Sequence, residues 1–275
     1  MHNRQQKGKR NMSQNVLVVH GGGPTAVINA SLYGVIEEAK RNPEVGKVYG
    51  AIGGTGAIFS ETFIDLTAFD DEKLKLLLHT PASAIGSSRY PLYEKDYEKM
   101  VDIFKKHDIK YVLLNGGNGT MDACGHIYEV CKDQDIKVVG IPKTIDNDIA
   151  MTDHSPGYGS AARFIAASTQ EVGEDVKSLP IHVCIMEAMG RNAGWITAAS
   201  ALARRKQGDA PHLIYLPERN FNEDEFLEDV AALQKKQGGV VVLVSEGLHD
   251  KNGESIVPPI FKSERAVYYG DVSSH

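Results

Sequence analysis

Lys143, Thr144, Asp146, Asn147 and Asp148 stand together in the stretch PKTIDND, between the apolar run KVVGI and a glycine-flanked segment with helical periodicity. A cation and two carboxylates one residue apart suit phosphoryl transfer. That chemistry asks little covalent work of a protein: it needs a base or orienter for the accepting hydroxyl, positive charge for the moving group, and positioning. Asp146 can take the hydroxyl proton, Lys143 and Thr144 can hold phosphoryl oxygens, and Asp148 can orient Asp146 or hold the acceptor. A solvated turn rich in Asp and Asn is the plain alternative.

Other stretches carry weaker signals. GGNGT (residues 116–120) opens a helix, where backbone N–H groups at the positive end can cradle a phosphate. A tight βα turn accounts for it equally well, since neither G-x-x-x-x-G-K-[ST] nor a clean G-x-G-x-x-G is present. Arg89, in SSRYP, can clamp a phosphate bidentately, although an exposed surface arginine is the simpler reading of that residue alone. Arg191, in EAMGRNAGW, falls in the first turn of an expected helix, beside a glycine that admits close approach of a ligand. Glu246 closes VVVLVSE and can accept from a sugar hydroxyl or cap a helix. Met189 and Trp195 read as core residues.

The elements that must position these groups follow from periodicity. Apolar runs over 15–19, 47–52, 111–115, 137–141, 182–187, 212–216 and 240–245 are expected strands. Amphipathic stretches over 25–40, 70–78, 93–107, 120–132, 160–177, 192–205 and 223–236 are expected helices. Apolar strands alternating with helices mean mainly parallel sheets covered on both faces. In such sheets ligands gather beyond the carboxyl ends of the strands. HGGGPT, GGTGA, GGNGT, PKTIDND, AMGRNAG and EGL all fall at those ends.

Whole-chain properties narrow the function classes. With 275 residues, of which 42% are hydrophobic, the chain can bury one large core or two smaller ones. A formal charge of -6 argues against general affinity for nucleic acid or anionic membrane, so an anionic ligand must be held locally. Cys124, Cys131 and Cys184 are odd in number and form no C-x-x-C pair, which fits a reducing cytoplasm better than a disulfide framework or a zinc site. No apolar run reaches membrane-span length. Residues 1–12 are charged, lack a signal-peptide core and are expected to be a disordered lead-in.

Taken together, GGPTAVINASL, TPASAIGSSRY, PKTIDND, TDHSPGYGSAARF and MEAMGRNAGW resemble motifs of the phosphofructokinase family, over nearly the whole chain from Asn15 to about Leu248. The first and fourth are most similar to its pyrophosphate-dependent branch, the diphosphate–fructose-6-phosphate 1-phosphotransferases. The resemblance implies an α/β fold of two Rossmann-like three-layer domains with mainly parallel sheets. Residues 13–150 would bind the donor phosphates and residues 151–275 the sugar phosphate. It implies a glycolytic kinase moving a phosphoryl group from pyrophosphate or ATP to the 1-hydroxyl of fructose 6-phosphate, with Mg²⁺, as a homodimer or homotetramer. Carried over by position, Asp146 is the base, with Thr144 and Lys143 beside it in the catalytic loop. Asp148, Met189, Gly190, Arg191 and Glu246 would hold the sugar phosphate. Gly22, Gly117, Asn118, Gly119 and Thr120 would line the donor pocket, and Arg89 would bridge donor and transition state.

The pattern departs from the family in places. The glycine-rich loop usually holds an acid, as G-G-D-G-[ST] or G-G-N-D-S; Asn118 and Gly119 carry none, which leaves Asn118 as the metal-ligand candidate of that loop. Lys143 favours pyrophosphate. Gly119 pulls toward ATP, because the missing acid would stand against the α-phosphate. His182 aligns with an arginine that many members supply from a neighbouring subunit. Family chains continue past this end with a segment that returns to the sugar site, so the resemblance implies a C-terminal domain cut short at GDVSSH. The balance is a narrow preference for pyrophosphate as donor; the alternative is a catalytically weak or regulatory relative that binds sugar phosphate or nucleotide.

Overall fold

β1 (Gln14–Gly21) is the first element in a computed structural model that describes residues 14–262, 267–269 and 271–274; the expected lead-in at 1–12 lies outside them. Contacts divide the chain into two units, one ending at Lys143 and the next starting at Thr144.

After β1 the first unit continues through α1 (Ala26–Arg41), β2 (Val45–Ala51), α2 (Gly56–Phe59), β3 (Phe63–Asp65), α3 (Asp71–Lys75), α4 (Glu94–Lys106), β4 (Ile109–Gly116), α5 (Asn118–Cys131) and β5 (Lys137–Pro142). The sheet order is β3-β2-β1-β4-β5. β1 runs parallel to β2 and β4, β4 parallel to β5, and β3 antiparallel on the edge. Successive residues of β1 point to opposite faces. Val16 and Val18 pack with Leu32 and Ile36 of α1, whereas Leu17 and Val19 pack with Met100 and Phe104 of α4 and Ile127 of α5. Helices on both faces are why Val16–Val19 of this strand are all apolar.

The second unit holds α6 (Tyr158–Ser178), β6 (Val183–Ala188), α7 (Trp195–Ala199), β7 (Leu213–Tyr215), α8 (Glu223–Gln237), β8 (Val240–Ser245), β9 (Pro259–Lys262) and β10 (Val267–Tyr269). β6, β8 and β7 form a parallel sheet in that order, and β9 pairs antiparallel with β10. Val241 and Leu243 of β8 face Ile165 of α6 and Ile196 of α7. Val240, Val242 and Val244 face Phe226, Val230 and Leu233 of α8. The side chain of Asn222 caps α8 by accepting from Asp224 N and Glu225 N at 3.0 and 3.3 Å. Acidic residues in the first turn and lysines in the last complement the helix dipole. Mainly parallel, helix-covered sheets are thus present in both units.

Several elements differ from expectation. The unit boundary falls at Lys143/Thr144 rather than near 150. Lys143 N donates to Gly116 O at 2.8 Å and so belongs with the first sheet, while Ile145 packs into the core formed by α6 and α7. The helix expected over 192–205 is reduced to α7 and a 3₁₀ turn, Ser200–Ala203. There Ser200 Oγ donates to Thr197 O, and Arg204 Nε donates to Pro211 O, each at 2.6 Å, drawing the chain off the helical path. Similarly, the helix expected over 70–78 is α3 followed by a 3₁₀ turn, Leu76–His79. α2, β3, β9 and β10 are too short to leave a periodic signal.

Candidate active site

In the first unit, register fixes which turns share an edge. Gly21 lies opposite Gly116 across β1 and β4, and Gly116 opposite Pro142 across β4 and β5. HGGGPT, GGNGT and the start of PKTIDND therefore leave the sheet side by side. A Cβ on either Gly21 or Gly116 would collide with the buried Thr120 Oγ1, and one on Gly116 would also collide with the Gly21 carbonyl oxygen, so both positions require glycine. The N–H groups of Thr120 and Met121 close on Gly117 O at 2.9 and 3.0 Å. Asn118 and Gly119 are exposed at the helix opening, and a Cβ on Gly119 would meet nothing within 4 Å.

Gly22 adopts φ +74°, a left-handed conformation that suits glycine. Its N–H donates to Ser88 O at 3.1 Å, and Ser87 Oγ donates to Gly22 O at 2.7 Å. The segment ending in exposed Arg89 is thereby laid along the turn after β1. Lys143 is buried, and its ammonium donates to Gly23 O. The amino ends of α1 and α5 open from this same edge, so helix dipoles, Lys143 and Arg89 together make it electropositive in an acidic chain.

His20, which precedes these glycines, is fully buried, and burial pushes its imidazole down to about 4 from an ordinary 6.5. Ser83 Oγ donates to Gly86 O at 2.6 Å and so accepts from His20 Nδ1 at 2.8 Å. Between these pH values the unfolded chain binds a proton that the folded one refuses, so stability falls as pH drops through the window. The loss approaches about 3 kcal/mol near pH 4. Urea denaturation of the parent and His20→Asn at pH 7.5 and 4.5 checks this; the expected result is a clearly smaller pH-dependent loss in the variant.

The second unit carries the remainder of PKTIDND. Lys143, Thr144 and Asn147 are only 7%, 9% and 8% exposed, which excludes a solvated turn. Thr144 Oγ1 accepts from Asp146 N at 3.0 Å. Asn147, at φ +61°, turns inward; its side chain accepts from Ser155 N at 2.7 Å and donates to Asp153 O at 3.3 Å. Half-buried Asp146 and Asp148 flank this anchored asparagine. Sequence reading noted Asn147 without a role; its left-handed backbone, which asparagine tolerates, makes it the pivot of the pair.

At the carboxyl edge of the second sheet, Ala188 lies opposite Ser245, bringing Met189, Gly190 and Arg191 beside Glu246. Glu246 Oε1 accepts from Gly190 N at 2.9 Å, and Glu246 Oε2 stands 4.0 Å from Arg191 Nη2. Glu246 therefore braces a turn and does not cap a helix. Ser245 Oγ donates to Gly190 O at 2.8 Å. Arg191 sits in the loop ahead of α7, not in its first turn, because Gly190 adopts φ +115° and helix formation waits until Trp195. Met189 and Trp195 are 57% and 54% exposed, so neither is core: Met189 follows the last residue of β6, and Trp195 opens α7. A cavity of about 470 Å³ lined by Lys177, Arg205, His212 and Gln237 opens at the amino ends of β7 and β8, the opposite edge.

Among the described residues no group of three or more His, Cys, Asp or Glu side chains is arranged to hold a metal ion, and no helix is long and apolar enough to cross a membrane. Cys124, Cys131 and Cys184 are free thiols.

The phosphofructokinase family profile matches residues 15–271. The pyrophosphate–fructose 6-phosphate 1-phosphotransferase of Rhodospirillum rubrum is 42% identical over 259 residues, which cover 94% of this chain and 64% of that protein. Crystal structures of pyrophosphate-dependent phosphofructokinases are similar in fold. That from Marinobacter aquaeolei superposes with a TM-score of 0.74 at 40% identity over 86% of this chain and 62% of its own. That from Nitrosospira multiformis gives 0.76 at 38% identity over 88% and 62%. The chain thus spans less than two-thirds of the length of these relatives. With glycine turns, a split PKTIDND loop and a braced MGR turn at the carboxyl ends of parallel strands, and a family profile matched almost from end to end, the chain belongs to the phosphofructokinase family.

Proposed function

We propose that the protein is a 6-phosphofructokinase that transfers a phosphoryl group from pyrophosphate to the 1-hydroxyl of fructose 6-phosphate. The observation that carries this reading is the pair Asp146 and Asp148 flanking buried Asn147, in the same short loop as the buried Lys143. Asp146 accepts the proton of the attacking hydroxyl, while Asp148 holds the acceptor. Lys143 and Thr144 serve the transferred group; with the Lys143 ammonium on Gly23 O, the lysine acts by shaping the donor turn as well as by its charge. Gly22, Gly117, Asn118, Gly119 and Thr120 line the donor side, and Arg89 bridges donor and transition state. Met189, Gly190 and Arg191 hold the sugar phosphate, with Glu246 keeping their turn in place.

Magnesium suits this donor set. Mg²⁺ keeps most of its water and is commonly held through substrate phosphates and one or two protein oxygens. Bound with pyrophosphate, it would lower the negative charge of the transferred group; Asn118 is the side-chain oxygen of the glycine loop nearest in sequence to serve it. The reading includes a homodimer or homotetramer in the cytoplasm, where free thiols persist.

Turnover of fructose 6-phosphate with pyrophosphate at saturating Mg²⁺, followed in a coupled assay, tests the proposal; no turnover with either pyrophosphate or ATP would sink it. ATP is the second donor to try, because the space at Gly119 is open. Gly119→Asp adds a carboxylate there without a clash and is expected to suppress ATP use while sparing pyrophosphate use. Lys143→Gly is expected to harm pyrophosphate use more than ATP use, since the smaller donor has no nucleoside to supply remote binding energy. An unchanged donor ratio in Gly119→Asp would remove this loop from the donor site.

A further inference from the structure

Asn29 lies inside α1 and is completely buried, on the stripe that also holds Leu32 and Ile36. A buried amide is costly unless satisfied, and a leucine would pack this face of the helix equally well. All three of the recorded hydrogen bonds of its side chain leave the helix for one loop. Nδ2 donates to Thr80 O at 2.8 Å and to Ala82 O at 3.0 Å, and Oδ1 accepts from Ala84 N at 2.8 Å. Between those contacts Ala82 is held at φ +59°, a strained conformation for a residue with a Cβ. The same loop is gripped further on by His20 through Ser83, and by Gly53 N, which donates to Ile85 O at 2.8 Å. Thr55 N donates to Ser88 Oγ at 3.2 Å, and any Cβ on Gly54 would lie 2.7 Å from Ser88 N. The loop ends in Arg89. The helix is in turn fixed to the sheet, because Asn115 Nδ2 of β4 donates to Ile28 O at 3.0 Å.

We infer that Asn29 is a positioning residue for the phosphoryl donor: together with Ser83 it holds the loop at residues 80–88 against the turn after β1, setting both Arg89 and the Gly22 turn before donor binds. The inference rests on the donor-side reading of Arg89 and Gly22 given above. A preformed loop spares the ordering cost that a mobile arginine would impose on each binding event.

The test is a double-mutant cycle of Asn29→Ala and Arg89→Ala, with Ser83→Ala as a gentler second lesion should Asn29→Ala fold poorly. Asn29→Ala is expected to lower kcat/KM for pyrophosphate at least tenfold, with KM for fructose 6-phosphate within twofold of the parent. In the Arg89→Ala background the same change should alter kcat/KM less than threefold. Losses that multiply independently of Arg89, or an equal rise in the sugar-phosphate KM, would overturn the inference and leave Asn29 a fold-stabilising residue. Amide exchange supplies a readout that needs no turnover. The N–H groups of Gly22, Gly53 and Ala84 should exchange at least tenfold faster in Asn29→Ala or Ser83→Ala while those of β4 stay protected; unchanged protection in both variants refutes the inference. A parent protein inactive with both donors would instead refute the proposed reaction.

Discussion

Turnover is expected to fall by about 10²- to 10⁴-fold in Asp146→Ala, the range for loss of a positioned acid–base group, with KM for fructose 6-phosphate changing far less. Folding should survive the change. The loop backbone is held by Thr144 Oγ1 on Asp146 N and by Asn147 on Asp153 and Ser155, and none of these bonds uses the Asp146 carboxylate. Asp146→Asn, which keeps shape and removes basicity, should lose nearly as much activity and should also lose the acidic limb of the pH–rate profile. A variant with normal turnover and weakened substrate affinity would reassign Asp146 to binding.

The second large effect is expected at Gly247, the glycine of the EGL turn after β8, to which sequence reading gave no individual role. A Cβ there would collide with the Arg191 carbonyl oxygen and lie 2.7 Å from Arg191 Cα, against backbone that cannot swing aside as a side chain can. Gly247→Ala must therefore displace the turn that presents Arg191 and that Glu246 and Ser245 brace through Gly190. Overpacking of this kind costs about 1–3 kcal/mol. At about 2–4 °C per kcal/mol, the thermal midpoint should drop measurably. KM for fructose 6-phosphate should rise at least tenfold in the same variant. Gly125→Ala, at an exposed position of α5 with nothing within 4 Å of the new methyl, is the matched control and should leave both quantities unchanged or gain slightly in stability. A Gly247→Ala protein with parental KM would mean that Arg191 does not serve the sugar phosphate.

Much of this architecture is legible in the sequence, and the reasons are physical. VVVLVS could be placed to the residue because both faces of β8 are buried and every position is apolar. The PKTIDND and MGR motifs were found because charged and glycine residues at a strand end have few structural excuses. What escaped reading depends on partners far away in the chain. Met189 and Trp195 looked like core by residue type, but whether a strand end or a helix start is covered is decided by packing. The shortening of α7 reflects hydrogen bonds from Ser200 and Arg204 that helical periodicity does not encode. The position of the unit boundary turned on Lys143 N joining Gly116 O while Ile145 joined another core. Asn29 did leave a trace, as the one amide on the buried stripe of α1, yet its partners lie more than fifty residues along the chain.

Thr120, lodged above Gly21 and Gly116, makes three positions on two strands and a helix behave as one inherited character. A side chain at Gly21 is intolerable while the threonine remains, one at Gly116 meets the Gly21 carbonyl oxygen as well as the threonine, and shrinking the threonine leaves a void over both. Single substitutions in these turns should consequently show strong epistasis, and exchange of residues 20–23 and 116–120 with those of a relative is expected to be tolerated better as a block than singly. Gly23 and Gly119, whose surroundings are open, are the glycines in that block that can drift alone.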